Sequence, residues 1–172
     1  MSSKRGAALA ASALIAVLLI GASVLPSAAQ APSSIAPPPE FLTGRAVFTD
    51  NVDLKFKIKL DGKKTDVVNL KDPSRTATAR FTLVDGAQFP WHTHPGPVVV
   101  NVFQGELKYV AADDCKERVY GAGDAFIDAG GDHVHTAFAN GPTVLVATFF
   151  GAPASGPLLI PANAAFCGIP NP

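Results

Sequence analysis

The four histidines of the chain fall into two His-x-His pairs, His92/His94 and His133/His135. In an extended strand, residues i and i+2 point to the same face, so each pair can direct two imidazoles at one point. Two adjacent strands would then bring three or four ring nitrogens together. Neutral imidazole is a common ligand of Zn, Cu, Ni and Fe. The spacing predicts a site for one divalent transition metal ion, with surface or hydrogen-bonded core histidines as the alternative.

Apolar and rigid segments frame the first pair. Phe89, Pro90 and Trp91 precede it, and the run 95–97 (Pro-Gly-Pro) follows it. A Pro-Gly-Pro run is typical of a tight turn. These neighbours limit the directions in which the imidazoles can point, which favours a metal site over histidines on the surface.

Five polar side chains lie near the histidine pairs in the sequence or on neighbouring strand candidates. For each of them we expect an exposed position in a turn or strand. Asp132, next to His133, is the first choice if a carboxylate does enter the site, where it would orient an imidazole by accepting its second N–H. The five are Gln88, Glu106, Tyr109, Asp128 and Asp132.

From Glu40 onward, short apolar or alternating runs are separated by Gly, Pro, Asp and Asn. Residues 54–60 alternate strictly, which is the period of a half-buried strand with its lysines in water, and Asp61-Gly62 supplies a hairpin-type turn. No later stretch keeps a helical apolar period for three turns. The pattern predicts a single all-β domain over residues 40–172, a sandwich or a barrel. Further strand candidates are 77–84, 98–103, 106–110, 125–128 and 143–150, with Phe126, Phe138, Phe149 and Phe150 in the core.

The first histidine pair lies in a motif that resembles the first motif of the cupin family. That motif runs Gly, five residues, His-x-His, three or four residues, Glu, six residues, Gly. Gly86 stands five residues before His92, His94 completes the pair, and Gly105 closes the motif. Val98 occupies the position of the family's glutamate ligand.

The second pair lies in a looser match to the second cupin motif, which runs Gly, five residues, Pro-x-Gly, two residues, His, three residues, Asn. Gly123 and Gly131 fit its glycines, and Ala129 replaces its proline. The motif places its histidine at Val134, so one extra residue in the turn would bring His135 into the ligand position.

The resemblance implies a small antiparallel, jelly-roll-like β-barrel with the metal inside. Its ligands would be His92, His94 and His135, with His133 as a fourth ligand or a near neighbour. Without the family's glutamate the site is neutral, and Val98, Val100 and Val102 would give the cavity an apolar wall. Such a site favours Zn²⁺, Cu²⁺ or Ni²⁺, with Fe also open, over Mn²⁺, which prefers oxygen ligands.

The first 29 residues read as a secretory signal peptide. Lys4 and Arg5 precede an apolar run, and the small residues Ser27 and Ala29 suit cleavage after Ala29. An uncleaved anchor is the alternative, because the uncharged run is long enough to span a bilayer. The Pro/Ser/Ala-rich segment 30–39 reads as a flexible tether. We therefore expect an exported protein, periplasmic or secreted, with no membrane attachment after cleavage.

Charge and cysteines narrow the function further. Removal of Lys4 and Arg5 leaves 12 basic against 14 acidic side chains and no basic stripe, so nucleic acid is not an expected partner. Export permits a disulfide between Cys115 and Cys167, which would stabilise the fold by about 4 kcal/mol on the chain-entropy model. The alternative is free thiols.

The sequence is consistent with two functional hypotheses. The first is a metal-dependent enzyme, of the oxygenase or isomerase kind that the cupin resemblance implies, acting on a small molecule. The second is a non-catalytic module that binds metal or a small ligand, which the valine face and the lack of an evident acid/base pair favour. Because cupins often pair, a homodimer is also an expectation, and the strand at 54–60 is either an edge that pairs or one that its lysines protect.

Overall fold

Strands form all the regular structure in the computed structural model, which describes residues 34–73 and 75–172. Every pair of named strands is antiparallel, as predicted. Within the described residues no helix is long and apolar enough to cross a membrane. The strands are β1 (Glu40–Phe41), β2 (Ala46–Val47), β3 (Asp53–Ile58), β4 (Asp66–Lys71), β5 (Arg75–Leu83), β6 (Gln88–Thr93), β7 (Val98–Gln104), β8 (Glu106–Ala111), β9 (Glu117–Gly121), β10 (Ala125–Asp128), β11 (His135–Ala139), β12 (Thr143–Phe150) and β13 (Ile160–Pro161).

Two large sheets contain the site. One has the order β1-β5-β12-β7-β10, with β2 also on β5, and the other has the order β13-β6-β11-β8-β9. Their apolar faces share one core, in which alternate residues of β5, β7 and β12 meet those of β6, β8 and β11. The architecture is that of a jelly roll, as predicted, and hydrogen bonding does not join the two sheets into one closed ring within the described part of the chain.

A separate hairpin joins β3 to β4. In β3, Lys55 and Lys57 are exposed while Leu54 and Phe56 are half-buried and Ile58 is buried, as the alternation predicts. The turn at Asp61-Gly62 is confirmed, with Gly62 at a φ of 81°. The β3 lysines therefore lie on a two-stranded hairpin and not on an edge of either large sheet.

Both ends of the described chain contact β6. Gln88 N donates to Ser34 O at 2.7 Å and Ala36 N donates to Gln88 O at 2.8 Å, so the described end of the predicted tether is hydrogen-bonded to the domain. The predicted signal peptide and residues 30–33 lie outside the described residues. At the other end, β13 pairs with β6, and the indole N–H of Trp91 donates to Ile169 O at 2.8 Å.

The C-terminal segment is also fixed covalently. Cys115 and Cys167 form a disulfide, as predicted, across a separation of 52 residues. Because this bond connects the segment after β12 to the turn between β8 and β9, the segment is held over β6 and, with it, over the first histidine pair.

The turn before β11 gives the first prediction. Gly130 has a φ of 68°, and a Cβ there would lie 2.3 Å from Gly96 O, whereas Gly131 has a φ of 64° and open space around it. Gly131→Ala should cost about 1 kcal/mol for the left-handed backbone alone, and Gly130→Ala about 3 kcal/mol or more, because the backbone must also move. Urea unfolding of both variants checks this, and equal losses would contradict the close approach.

Candidate metal centre

Three of the four histidines converge between the two sheets. His92 and His94 lie at the end of β6 and point to one face, and His135 begins β11 directly opposite His92. One ring nitrogen of each lies within 4.8 Å of the others, and each residue is about 5% exposed. The ring centroids are 4.3 to 5.1 Å apart. The predicted convergence of the two pairs is thus confirmed for these three side chains.

Backbone carbonyls fix the outer nitrogens of the first pair. Nδ1 of His92 is 2.6 Å from Pro90 O, and Nδ1 of His94 is 2.8 Å from Leu158 O. A carbonyl oxygen only accepts, so each Nδ1 carries the hydrogen and donates it. The Nε2 lone pairs are therefore left free to bind a metal, which is the tautomer that a neutral imidazole ligand needs.

A carboxylate performs the same task for His135. Nδ1 of His135 lies 3.2 Å from Asp128 Oδ2, and the Tyr109 hydroxyl donates to that same oxygen at 2.8 Å. The other oxygen, Oδ1, accepts from Gly130 N at 2.8 Å. The Tyr109 ring also stacks on the His135 ring, with centroids 5.0 Å apart. His135 is thus held both by a hydrogen bond and by a stacked ring.

Burial and charge set the protonation states. Burial, reinforced by the neighbouring His135, lowers the pKa of His94 to about 4, and burial lowers the pKa of His92 as well. Burial also raises the pKa of Tyr109, so its hydroxyl keeps its proton and donates. Burial would raise the pKa of Asp128, but His135, His94 and the Tyr109 hydrogen bond together lower it below its ordinary value. At neutral pH His92 and His94 are therefore neutral, and Asp128 is a carboxylate.

This donor set fits a divalent transition metal ion. A four-coordinate zinc takes three protein ligands and leaves one position open in catalytic sites. With metal–nitrogen bonds of about 2.1 Å, the ligand nitrogens would stand roughly 3.4 Å apart, which small ring rotations can reach from the present spacing. The three Nε2 atoms and the carboxylate behind His135 can therefore hold such an ion.

An apolar cavity adjoins the three rings. Its volume is about 440 Å³ including its mouth. Val98 and Val100 form part of its wall, and Val102 is buried further along the same face, as the parity of β7 predicts. The lining consists of Phe81, Phe89, His92, His94, Val98, Val100, Leu107, Tyr109, Phe126, Asp128, His135, Ala137, Leu145, Ala147, Phe149 and Leu159.

The structure places His133 away from this cluster. Its Nε2 lies 3.6 Å from Asp66 Oδ2, in a polar cleft beside the β3–β4 hairpin. The prediction that His133 shares a strand face with His135 is wrong, because β11 begins only at His135 and His133 is still in the turn. The alternation of strand faces does not extend to it.

The expectations for the five polar residues are corrected in part. Asp132, the preferred carboxylate, is exposed, and Glu106 accepts a hydrogen bond from Asn140 at the surface. Gln88, Tyr109 and Asp128 are buried instead of exposed. Asp128 escapes a sequence-based prediction because it approaches His135 only through the pairing of β10 with β7 and the packing of the two sheets.

Comparison with known proteins gives matches among solved structures alone. No protein-family model matches the chain, and no curated protein matches it. An RmlC-like cupin from Shewanella frigidimarina is 18% identical with a TM-score of 0.42, and the match covers 72% of this chain and 94% of that one.

Two other solved structures are similar to the same degree. A cupin superfamily protein from Desulfitobacterium hafniense is 14% identical with a TM-score of 0.41, covering 60% of this chain and 81% of that one. A cupin-like protein from Thermotoga maritima is 23% identical with a TM-score of 0.42, covering 45% of this chain and 58% of that one. The resemblance to cupins that the two motifs predict is thus also found among solved structures.

The carboxylate behind His135 gives a second prediction. Asp128→Asn keeps the shape of the side chain but removes its charge, and should weaken binding of Zn²⁺ by about 10- to 100-fold. Asp132→Asn, the same change at an exposed neighbouring position, is the matched control and should bind like the unaltered protein. A competitive chelator titration measures both affinities, and equal affinities in the two variants would show that Asp128 does not support the site.

The buried imidazoles give a third prediction, for the metal-free protein. Unfolded, His94 titrates near its usual value of about 6.5, and folded near 4, so the unfolded state binds more protons between these values. Stability should therefore fall as the pH is lowered through this window, by about 3 kcal/mol from His94. Chelator-treated protein unfolded by urea at pH 7, 5.5 and 4.5 measures the fall. In His94→Gln the slope should be smaller, and an unchanged slope would contradict the assignment.

Proposed function

We propose that this protein is an exported cupin that binds one divalent transition metal ion at His92, His94 and His135 and acts on a small molecule in the adjoining cavity. One observation carries the proposal. All three imidazoles are buried, and each has its Nδ1 engaged by an acceptor, so the three remaining lone pairs are available at a single point. Three buried imidazoles without a shared ligand would gain nothing from this convergence.

The donor chemistry narrows the choice of metal. Three imidazole nitrogens suit Zn²⁺, Cu²⁺, Ni²⁺ or Fe²⁺ better than Mn²⁺ or Mg²⁺, which prefer oxygen. Val98, buried in the cavity wall, contributes no oxygen ligand. Asp128 carries one negative charge beside Nδ1 of His135. This charge makes the His135 imidazole a stronger metal ligand.

An enzymatic role is supported by the cavity beside the three rings, because a small molecule held there would reach the bound ion. When bound, the ion would supply a Lewis acid to a donor atom of a small molecule. The apolar walls would exclude water from that molecule, and Asp128 would hold His135 in its ligand orientation. We propose a metal-dependent reaction on a small molecule on this basis. An oxygenase-type reaction would further require that the ion be a redox-active one of this set, Fe²⁺ or Cu²⁺.

A non-catalytic binding module is the second candidate, and a specific observation favours it. Both oxygens of Asp128 already accept hydrogen bonds, one of them from the Tyr109 hydroxyl. No other carboxylate lines the cavity among the described residues, so no evident general base faces a bound molecule. Oxygen uptake by metal-loaded protein against small phenols and thiols separates the two roles, because turnover on any of them requires the enzymatic one.

Export is proposed from two features that reinforce each other. The sequence of residues 1–29 has the charge and apolar pattern of a signal peptide. The disulfide between Cys115 and Cys167 is of the kind that forms and persists in oxidising compartments.

The metal site itself gives the fourth prediction. His92→Ala combined with His94→Ala should abolish metal retention while the β-sheet signal in circular dichroism stays, and His135→Ala should weaken it severely. His133→Ala, which removes the fourth histidine, is the matched control and should retain one metal ion per chain. Elemental analysis after gel filtration measures the stoichiometry. Metal retained by the double variant, or lost from His133→Ala, would refute the assignment.

A further inference from the structure

We propose that the molecule held in this cavity is small and apolar, with one donor atom for the metal and no second charged group. The inference rests on the proposed metal site and deepens it by naming the ligand class. It follows from what the cavity walls offer a ligand once the polar groups of the site have been accounted for.

The walls away from the metal are hydrocarbon. Val98 and Val100 come from β7, Leu145 and Phe149 from β12, and Phe126 from β10, so three neighbouring strands present apolar side chains to the cavity away from Asp128. Apolar walls of this extent gain from burying apolar ligand surface, at about 25 cal/mol per Å². They provide no hydrogen bond to the far end of a ligand.

The polar groups of the lining are already engaged. Nδ1 of each ligand histidine is paired, and the oxygens of Asp128 accept hydrogen bonds from Tyr109 and Gly130 in addition to His135. No N–H or O–H of these groups is therefore left to donate to a ligand. Recognition uses one coordinate bond and shape, without a donor for an anionic or carbonyl group at the far end.

Charge excludes a large class of molecules. No lysine or arginine lines the cavity among the described residues, and the charged side chain that does line it, Asp128, is negative. A carboxylate or phosphate held between these apolar walls would have no partner, which is strongly unfavourable. Sugar phosphates and dicarboxylates are therefore outside the ligand class.

A pair of probes that share one donor tests this directly. Both 4-methylpyridine and pyridine-4-carboxylate coordinate through the ring nitrogen, but only the second carries a distal charge. Titrated into Co²⁺-loaded protein and followed by the visible Co²⁺ spectrum, 4-methylpyridine should bind at least tenfold more tightly. Equal binding, tighter binding of the carboxylate, or failure of both to perturb bound Co²⁺ would overturn the ligand class.

A variant locates the binding in this cavity. Ala147→Val adds volume at a wall position, so it should retain Co²⁺ and bind 4-methylpyridine several-fold more weakly. Thr148→Val, at the next residue and facing the opposite side of β12, is the matched control and should bind the probe like the unaltered protein. An unchanged affinity in Ala147→Val would contradict the proposal. Failure of the protein to bind Co²⁺ at all is a separate result, which would refute the metal site and not the ligand class alone.

Discussion

The pairing of β6 with β11 is the constraint on which the site depends. It places His135 opposite His92, and His94, one residue beyond the end of β6, points to the same site. A slip of one residue would turn His135 to the other face of the sheet. The pairing of β11 with β6 is irregular between His135 and Ala137, whereas all of β11, His135 included, pairs with β8 in continuous register. The convergence of His92 and His135 is therefore a consequence of strand register.

Burial of three imidazoles at one point would be costly if they were charged or lacked partners. In the structure, each of the three rings has an acceptor for its outer N–H. The carbonyls of Pro90 and Leu158 accept the outer hydrogens of His92 and His94, and Asp128 accepts that of His135. Leu158 lies on the C-terminal segment that the disulfide holds over β6, so a covalent restraint far along the chain supports the tautomer of His94. The same packing produces the apolar cavity, because Val98 and Val100 of β7 line it together with the three histidine rings.

The sequence predicted the parts of this arrangement that follow from local rules. His92 and His94 were expected to share a face because residues i and i+2 do so in any strand, and the valines of β7 were expected to line the cavity for the same reason. The second cupin motif points to Val134, and His135 follows from it only with one extra residue in the turn. His133 was wrongly placed because the local rule was applied beyond the start of β11. Asp128 and Tyr109 could not be identified as partners of His135, since their approach depends on how β8, β10 and β11 pack in three dimensions. The carbonyl of Leu158 was unpredictable for the same reason.

X-ray absorption spectroscopy of the zinc-loaded protein tests the central claim most directly, because it reports the ligands of the ion and not merely its presence. We expect three imidazole nitrogens at about 2.0–2.1 Å from the zinc ion. We also expect the additional scattering from the outer ring atoms that histidine ligands produce. A shell made mainly of oxygen, or one with a single imidazole, would contradict it and would leave the convergence of His92, His94 and His135 without a function.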